Sequence, residues 1–402
     1  MKTPLSLLST AGTTGRSEVS LDMTQRHLNH GSYGAVPSRT VEFQARLKSE
    51  LESNPFRWFE DVAPRHSAAR ELLASFVGAP ASELAMVANA SAAASVVFAS
   101  VTLKPGEEVL ISDHVYGAVA MGAARWAAYA GATVRTLPLP LAASSVETLS
   151  TIMDAITART RMIIIDHISS ATARHFPAHE LANTLASSPA TADIVVVVDG
   201  AHALGIVEKA AVRAPNTVWF GNLHKYACAP RGSAVLVAQG ELAQRLFPTI
   251  DSWGAELAYP DRFDLQGSID TTGFLSAPHA IETIDTLFGW PVVRDYSAQL
   301  GAWAQSLIAE AFAPLMLESP IPDVGMPVAT QPLLRLPRGV AADGPSARSL
   351  KDALATEANC EVGISTWNGT GFMRISAHFY NEAADYEHFV EHGVPVIARL
   401  SR

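Results

Sequence analysis

Cysteine is scarce in this chain: of 402 residues only Cys228 and Cys360 carry thiols. Two cysteines cannot supply a disulfide framework, and their scarcity suits a reducing cytosol, so a cytoplasmic location is expected. Basic charge is also in short supply, with 29 Lys and Arg against 39 Asp and Glu and a net charge of −10. That balance is a poor match for nucleic acid or an anionic lipid surface, and neither is expected as a partner. Long hydrophobic runs are missing too: nothing reaches the about 18 consecutive apolar residues that suggest a membrane span. Leu5, Leu7 and Leu8 are apolar, but Pro4, Ser6 and Ser9 interrupt them too closely for the apolar core of a signal peptide. Residues 1–22 therefore read as a loosely held arm. Repeats, low-complexity stretches and charge blocks do not stand out.

What is present is a well-filled globular composition, 48% hydrophobic and 17% charged. The length is too great for one ordinary core, so two unequal domains are expected. Phe43, Leu47 and Leu51 recur at helical spacing after Pro37-Ser38, and Asn54-Pro55 ends that run. A second helix spans roughly 65–77, with Ala68, Leu72 and Phe76 on one face and Gly78 as its stop. Short apolar runs follow at 84–88, 108–112, 133–137, 161–166, 193–198, 217–220 and 232–237, separated by helical stretches and turns. Two of them are nearly unbroken Val and Ile, which is how strands buried on both faces read. The expected fold class is α/β: a mostly parallel sheet sandwiched by helices, with ligands at the carboxyl ends of its strands. Asp166, Asp199 and the stretch 221–225 fall at those ends. Beyond about residue 285 a long helix over 293–313, a Pro-rich stretch over 314–338 and short strands at 333–336, 360–365 and 371–375 suggest a smaller α+β domain. A link near 273–278 divides the chain into residues 23–280 and 281–402. The first residues of the large unit are expected to pack on the small one.

The chemistry concentrates in two segments. Lys225 lies in Phe220-Gly-Asn-Leu-His-Lys-Tyr, and 26 residues upstream Asp199 closes a run of four valines in Val195-Val-Val-Val-Asp-Gly-Ala-His202. A buried Lys that forms a Schiff base with an aldehyde, and a strand-end carboxylate that keeps a pyridine nitrogen protonated, are the two groups pyridoxal phosphate chemistry requires. Taken singly, Asp199 reads equally well as a turn residue or helix cap, and a Lys after a His is ordinary. Asn89-Ala-Ser91 follows an apolar strand and opens an Ala-rich helix. It suits an anion at a helix start, and equally a plain cap.

In this setting the chain resembles the fold-type I pyridoxal phosphate enzymes, within them the class V aminotransferase group, and most of all the isopenicillin N epimerase-like proteins. The resemblance is carried by Leu28-Asn-His-Gly-Ser-Tyr-Gly-Ala, Asp113-His-Val-Tyr-Gly-Ala, Asp166-His-Ile-Ser-Ser-Ala-Thr-Ala, Asp199-Gly-Ala-His-Ala-Leu-Gly, Gly221-Asn-Leu-His-Lys, Gly267-Ser-Ile-Asp-Thr-Thr-Gly-Phe and Arg374-Ile-Ser-Ala-His-Phe-Tyr-Asn. These motifs run in family order from residue 28 to residue 381.

The resemblance implies a seven-stranded sheet of the pyridoxal phosphate transferase fold, pyridoxal 5'-phosphate as cofactor and no metal. It implies that Ala90, Ser91, Asn222 and His224 contact the cofactor phosphate and that Lys225 holds the cofactor. Tyr116, with His114 as the other candidate, would cover one ring face. Asp199 and His202 would lie at the ring edge. Ser170, and less clearly Thr172, would meet the cofactor 3-oxygen. Gly267 and Ser268 look like the segment that reaches a partner's phosphate, which implies a homodimer with shared sites. Arg374 would clamp a substrate carboxylate with two parallel hydrogen bonds, and Asn29 and His30 would line the substrate mouth. The implied activity is proton abstraction at the α-carbon of an amino acid by Lys225, with epimerisation as the first reading. C–S lysis and transamination share that first step. A catalytically silent binding protein is the reading from another class. Cysteine desulfurases need a thiol on a mobile loop. Cys360 starts an apolar strand pattern, the following stretch 366–371 has no Cys, and both thiols read as structural.

Overall fold

The computed structural model describes residues 2–401. Eleven strands are present among them: β1 (Arg26–Leu28), β2 (Leu84–Val87), β3 (Glu108–Ser112), β4 (Thr133–Leu137), β5 (Thr160–Asp166), β6 (Val195–Asp199), β7 (Thr217–Asn222), β8 (Ala234–Ala238), β9 (Leu333–Arg335), β10 (Cys360–Trp367) and β11 (Thr370–Arg374). Seven of them form the central sheet, in the order β2-β8-β7-β6-β5-β3-β4. Strand β8 runs antiparallel to both its neighbours, and the other pairings are parallel.

The unbroken Val and Ile runs have a direct cause. Ile163, Ile165, Val196 and Val198 pack into a core beneath the helices Val62–Val77, Ala178–Ala186 and Thr272–Phe288. Their neighbours Ile164, Val195 and Val197 point the other way, into a core under Ala90–Ser100 and Gly117–Tyr129. Successive side chains leave a strand on opposite faces, so a sheet covered on both sides needs an apolar residue at every position. Each such side chain contributes roughly 1.5–3 kcal/mol on burial.

The second sheet has the order β1-β10-β11-β9. Strand β1 pairs in parallel with β10, joining Arg26–Leu28 to Cys360–Val362 across more than 330 positions of sequence. Leu28, Leu334, Val362 and Met373 share a third core with the helices Trp290–Phe312 and Gly344–Glu357.

Two expectations need correction. The stretch 273–278 is no link, because a continuous helix covers Thr272–Phe288 with Pro278 inside it. Burial of Phe274, Ala277, Ala280 and Ile284 outweighs the lost amide and the kink that Pro brings. The arm is also not loose throughout. Val19 bridges to Pro37, and Arg16 forms an ion pair with the buried Asp385. Among the described residues no helix is long and apolar enough to cross a membrane.

Candidate active site

Three neighbouring strands end side by side. Asp166 closes β5 in register with Asp199 at the end of β6, and Asn222 closes β7. Beyond them opens a cavity of about 370 Å³, lined among others by Asp166, Asp199, His202, Asn222, His224 and Lys225. The helix Ala90–Ser100 starts at its rim. The Asn89 side chain caps that helix by accepting from the Ala92 amide (2.9 Å), and Asn222 Oδ1 accepts from the Ala90 amide (2.9 Å). Asn222 thus ties the end of a strand to the start of a helix. Ser91 and Ala90 face the same space.

Lys225 sits on the connection between β7 and β8, whose backbone is closed by Leu223 donating to Ser233 and Ala229 donating to Leu223. Its Nζ lies 3.1 Å from His202 Nε2. Burial is the main force on the amine and, with the Arg374 charge, outweighs Asp199 and Asp166, lowering it to about 8. Burial also drives His202 well below the ordinary imidazole range, so its ring is neutral and holds one proton. The Gly31 carbonyl stands 2.7 Å from Nε2 and the Ile168 carbonyl 3.3 Å from Nδ1. A carbonyl only accepts, so we assign the proton to Nε2, donating to Gly31.

Both strand-end carboxyls are raised, chiefly by burial, and Asp166 is raised further because Asp199 lies next to it. One oxygen of Asp199 accepts from the Ala201 amide (2.9 Å). His224 is lowered to about 4 by burial and by Lys225, and its Nδ1 has no hydrogen-bond partner among the described residues.

Of the two candidate ring-covering residues, Tyr116 lines the cavity and is partly exposed. His114 is fully buried elsewhere, with Nδ1 2.8 Å from Thr172 Oγ1 and Nε2 2.7 Å from the Leu139 carbonyl. Thr172 is spent on that contact, whereas Ser170 faces the cavity. Arg374 is buried at the end of β11 and donates to Ser170 Oγ at 3.4 Å. Its Nε has no partner among the described residues. Asn29 and His30 line an adjoining cavity that shares Ser32, Tyr33 and Arg231 with the first. His30 is held between Asn381 and Tyr380. Gly267 and Ser268 are not brought to Lys225. They line a separate cavity beside Phe263 and the exposed Trp253.

Sequence reasoning gave no role to Tyr33, Arg231 or Asp166, all of which line the main cavity. Tyr33 stacks on His224, with ring centroids 6.4 Å apart. The signal for Tyr33 lay in the motif that begins at Leu28. That for Asp166 lay in its place at a strand end.

Both thiols are buried, Cys228 behind Lys225 and Cys360 at the start of β10, and burial raises both.

Comparison with known proteins adds the following. Isopenicillin N epimerase of Streptomyces clavuligerus is 28% identical over 395 residues, spanning 94% of this chain and 96% of that protein. A putative L-cysteine desulfhydrase of Oryza sativa subsp. japonica is 26% identical over 400 residues, spanning 90% of this chain and 80% of that protein. Among solved structures, a variant of C-DES with glycine covalently linked to its PLP cofactor superposes with a TM-score of 0.79 at 15% identity, covering 94% of this chain and 98% of that one. The family described as aminotransferase class V matches residues 32–311, well over half of the sequence, and this chain belongs to that family.

Proposed function

We propose that the protein is a pyridoxal 5'-phosphate enzyme acting at the α-carbon of an amino acid, with an epimerase or racemase outcome. The observation that carries this is the placement of a depressed lysine amine, two buried carboxyls and a neutral imidazole in one cavity at the strand ends. The residues fit the cofactor. His224 Nδ1 is a buried polar atom without a partner among the described residues, next to Ser91 at a capped helix start, and together they suit a phosphate dianion. When bound, the cofactor supplies an electron sink that acidifies the α-proton of an attached amino acid.

The roles of the chain's own residues follow from their chemistry. Lys225 would hold the cofactor and, as a neutral amine, would take the α-proton. Asp199 provides the negative charge for a protonated ring nitrogen. His202 lies beside the amine of Lys225 at the ring edge, and Tyr116 covers the ring. Ala90, Asn222, Ser91 and His224 form the phosphate end, and Ser170 meets the 3-oxygen. Arg374 binds the substrate carboxylate, with Asn29 and His30 at the mouth. Epimerisation needs a second proton donor, which we assign to Tyr116. Gly267 and Ser268 serve the partner's site in a cytoplasmic homodimer.

C–S lysis is the second reading, favoured by the likeness to the rice desulfhydrase. It starts from the same proton abstraction and needs no protein thiol, which agrees with two buried cysteines. An amino-acid panel separates the two. Epimerisation gives deuterium exchange at the α-carbon with inversion, and lysis gives pyruvate and sulfide. Transamination would instead give a stoichiometric oxo acid. A panel without any of these products would sink the proposal.

A further inference from the structure

Asp166 is a buried acid that the proposed chemistry leaves without a task. It stands in register with Asp199 on the neighbouring parallel strand. Their side chains therefore leave the sheet on one face, from strands about 4.8 Å apart. Both line the cavity and both are 2% exposed. Asp199 has the Ala201 amide on one oxygen, while Asp166 Oδ2 has no partner among the described residues. Lys225 faces the pair as a cation, and the neutral His202 lies beside it. Arg374 acts on the site through Lys225 and His202. Two carboxylates at paired positions of adjacent strands in so dry a cavity do not both ionise readily, and they titrate as a pair.

We propose that Asp166 and Asp199 form one acid–carboxylate pair, in which Asp166 Oδ2 carries the shared proton and donates it to Asp199. Asp166 is then a positioning residue. Its hydrogen bond orients Asp199 and leaves that residue as the single ionised carboxylate of the site. Only the use made of Asp199 rests on the function proposed above; the pair itself exists with or without cofactor.

The direction of pH dependence follows. A carboxyl whose pKa is raised by folding lends stability that is complete below its unfolded value of about 3.9 and is lost as pH rises through the folded value.

Infrared spectroscopy of the full-length chain at pH 7, with and without pyridoxal phosphate, tests this. The wild type should show a carboxylic-acid carbonyl band that shifts on ¹³C-aspartate labelling and is missing from Asp166→Asn. Thermal unfolding of the cofactor-free wild type should weaken with rising pH more steeply than that of Asp166→Asn. Asp166→Ala should lose about tenfold in turnover, the worth of one hydrogen bond, and Asp166→Asn, which keeps a donor, should restore part of that loss. A wild type without the acid band, or a band unchanged in Asp166→Asn, overturns the pair. If Asp166→Asn fails to fold, the labelled wild-type band and its disappearance with rising pH decide alone. Because the band is read without cofactor or substrate, its failure is distinct from a failure of the proposed function.

Discussion

Lys225 can attack an aldehyde only while its amine is uncharged. With the amine lowered to about 8 in the cofactor-free chain, covalent uptake of pyridoxal phosphate should accelerate as pH rises through about 8 and then level off. Following the cofactor's visible absorbance after mixing checks this; a flat rate between pH 7 and 9 contradicts it. The same shift has a stability side. A lysine lowered by folding destabilises the folded chain below its folded value, and that penalty is relieved as pH climbs toward about 10.4. Asp199→Asn should still bind cofactor but lose on the order of 10²-fold or more in turnover, since it removes the charge that supports a protonated ring. Titrating the bound cofactor's absorbance in that variant separates a lost ring proton from misfolding. At this scale the sequence marked residues that the fold brings together: Lys225, Asp199 and His202 line one cavity. It was ambiguous for His114 against Tyr116. Which of two nearby side chains turns inward is decided by distant partners, here Thr172 and the Leu139 carbonyl.

At the scale of elements, the segment around Gly34 matters as much as the strands. Its amide donates to the His224 carbonyl at 2.9 Å, seating residues 29–35 on the lysine loop. A Cβ built on Gly34 would lie 1.9 Å from the Lys225 carbonyl oxygen, a backbone atom with little room to yield. Gly34→Ala should therefore cost about 1–3 kcal/mol of stability, as overpacking does. It should also weaken cofactor retention, and urea unfolding alongside a cofactor titration measures both. An unchanged midpoint would mean that this segment lifts away readily. Strands were legible from composition because two-sided burial forces Val and Ile at successive positions. The helix Thr272–Phe288 was not, because Gly273 and Pro278 carry a local breaking signal that only tertiary burial overrules.

For the whole molecule, the separate placement of Gly267 and Ser268 leads to a subunit-level test. If that loop serves a partner, an isolated mixed dimer of Lys225→Ala and Ser268→Pro chains holds one site with both lesions and one with neither. It should recover about half of wild-type activity from two inactive parents, as twofold symmetry requires. No recovery, or full activity in a sedimenting monomer, removes the shared-site proposal. The helix-covered central sheet and the cavity at its strand ends were visible in the sequence. The pairing of β1 with β10 was foreseen only as a general packing of the two units, because nothing local in three residues specifies a partner more than 330 positions away.

That pairing also orders events during synthesis. Residues 26–34 are made well before the strand that β1 joins, Cys360–Trp367, more than 330 positions further along. At about 5–20 residues per second the wait is on the order of 20–60 s. Throughout it the lysine loop can already be folded between β7 and β8 while its lip has no strand to lie against. The cavity wall is thus completed only once residue 360 has been made, and a chain interrupted before it carries Lys225 without the strand that β1 lies against.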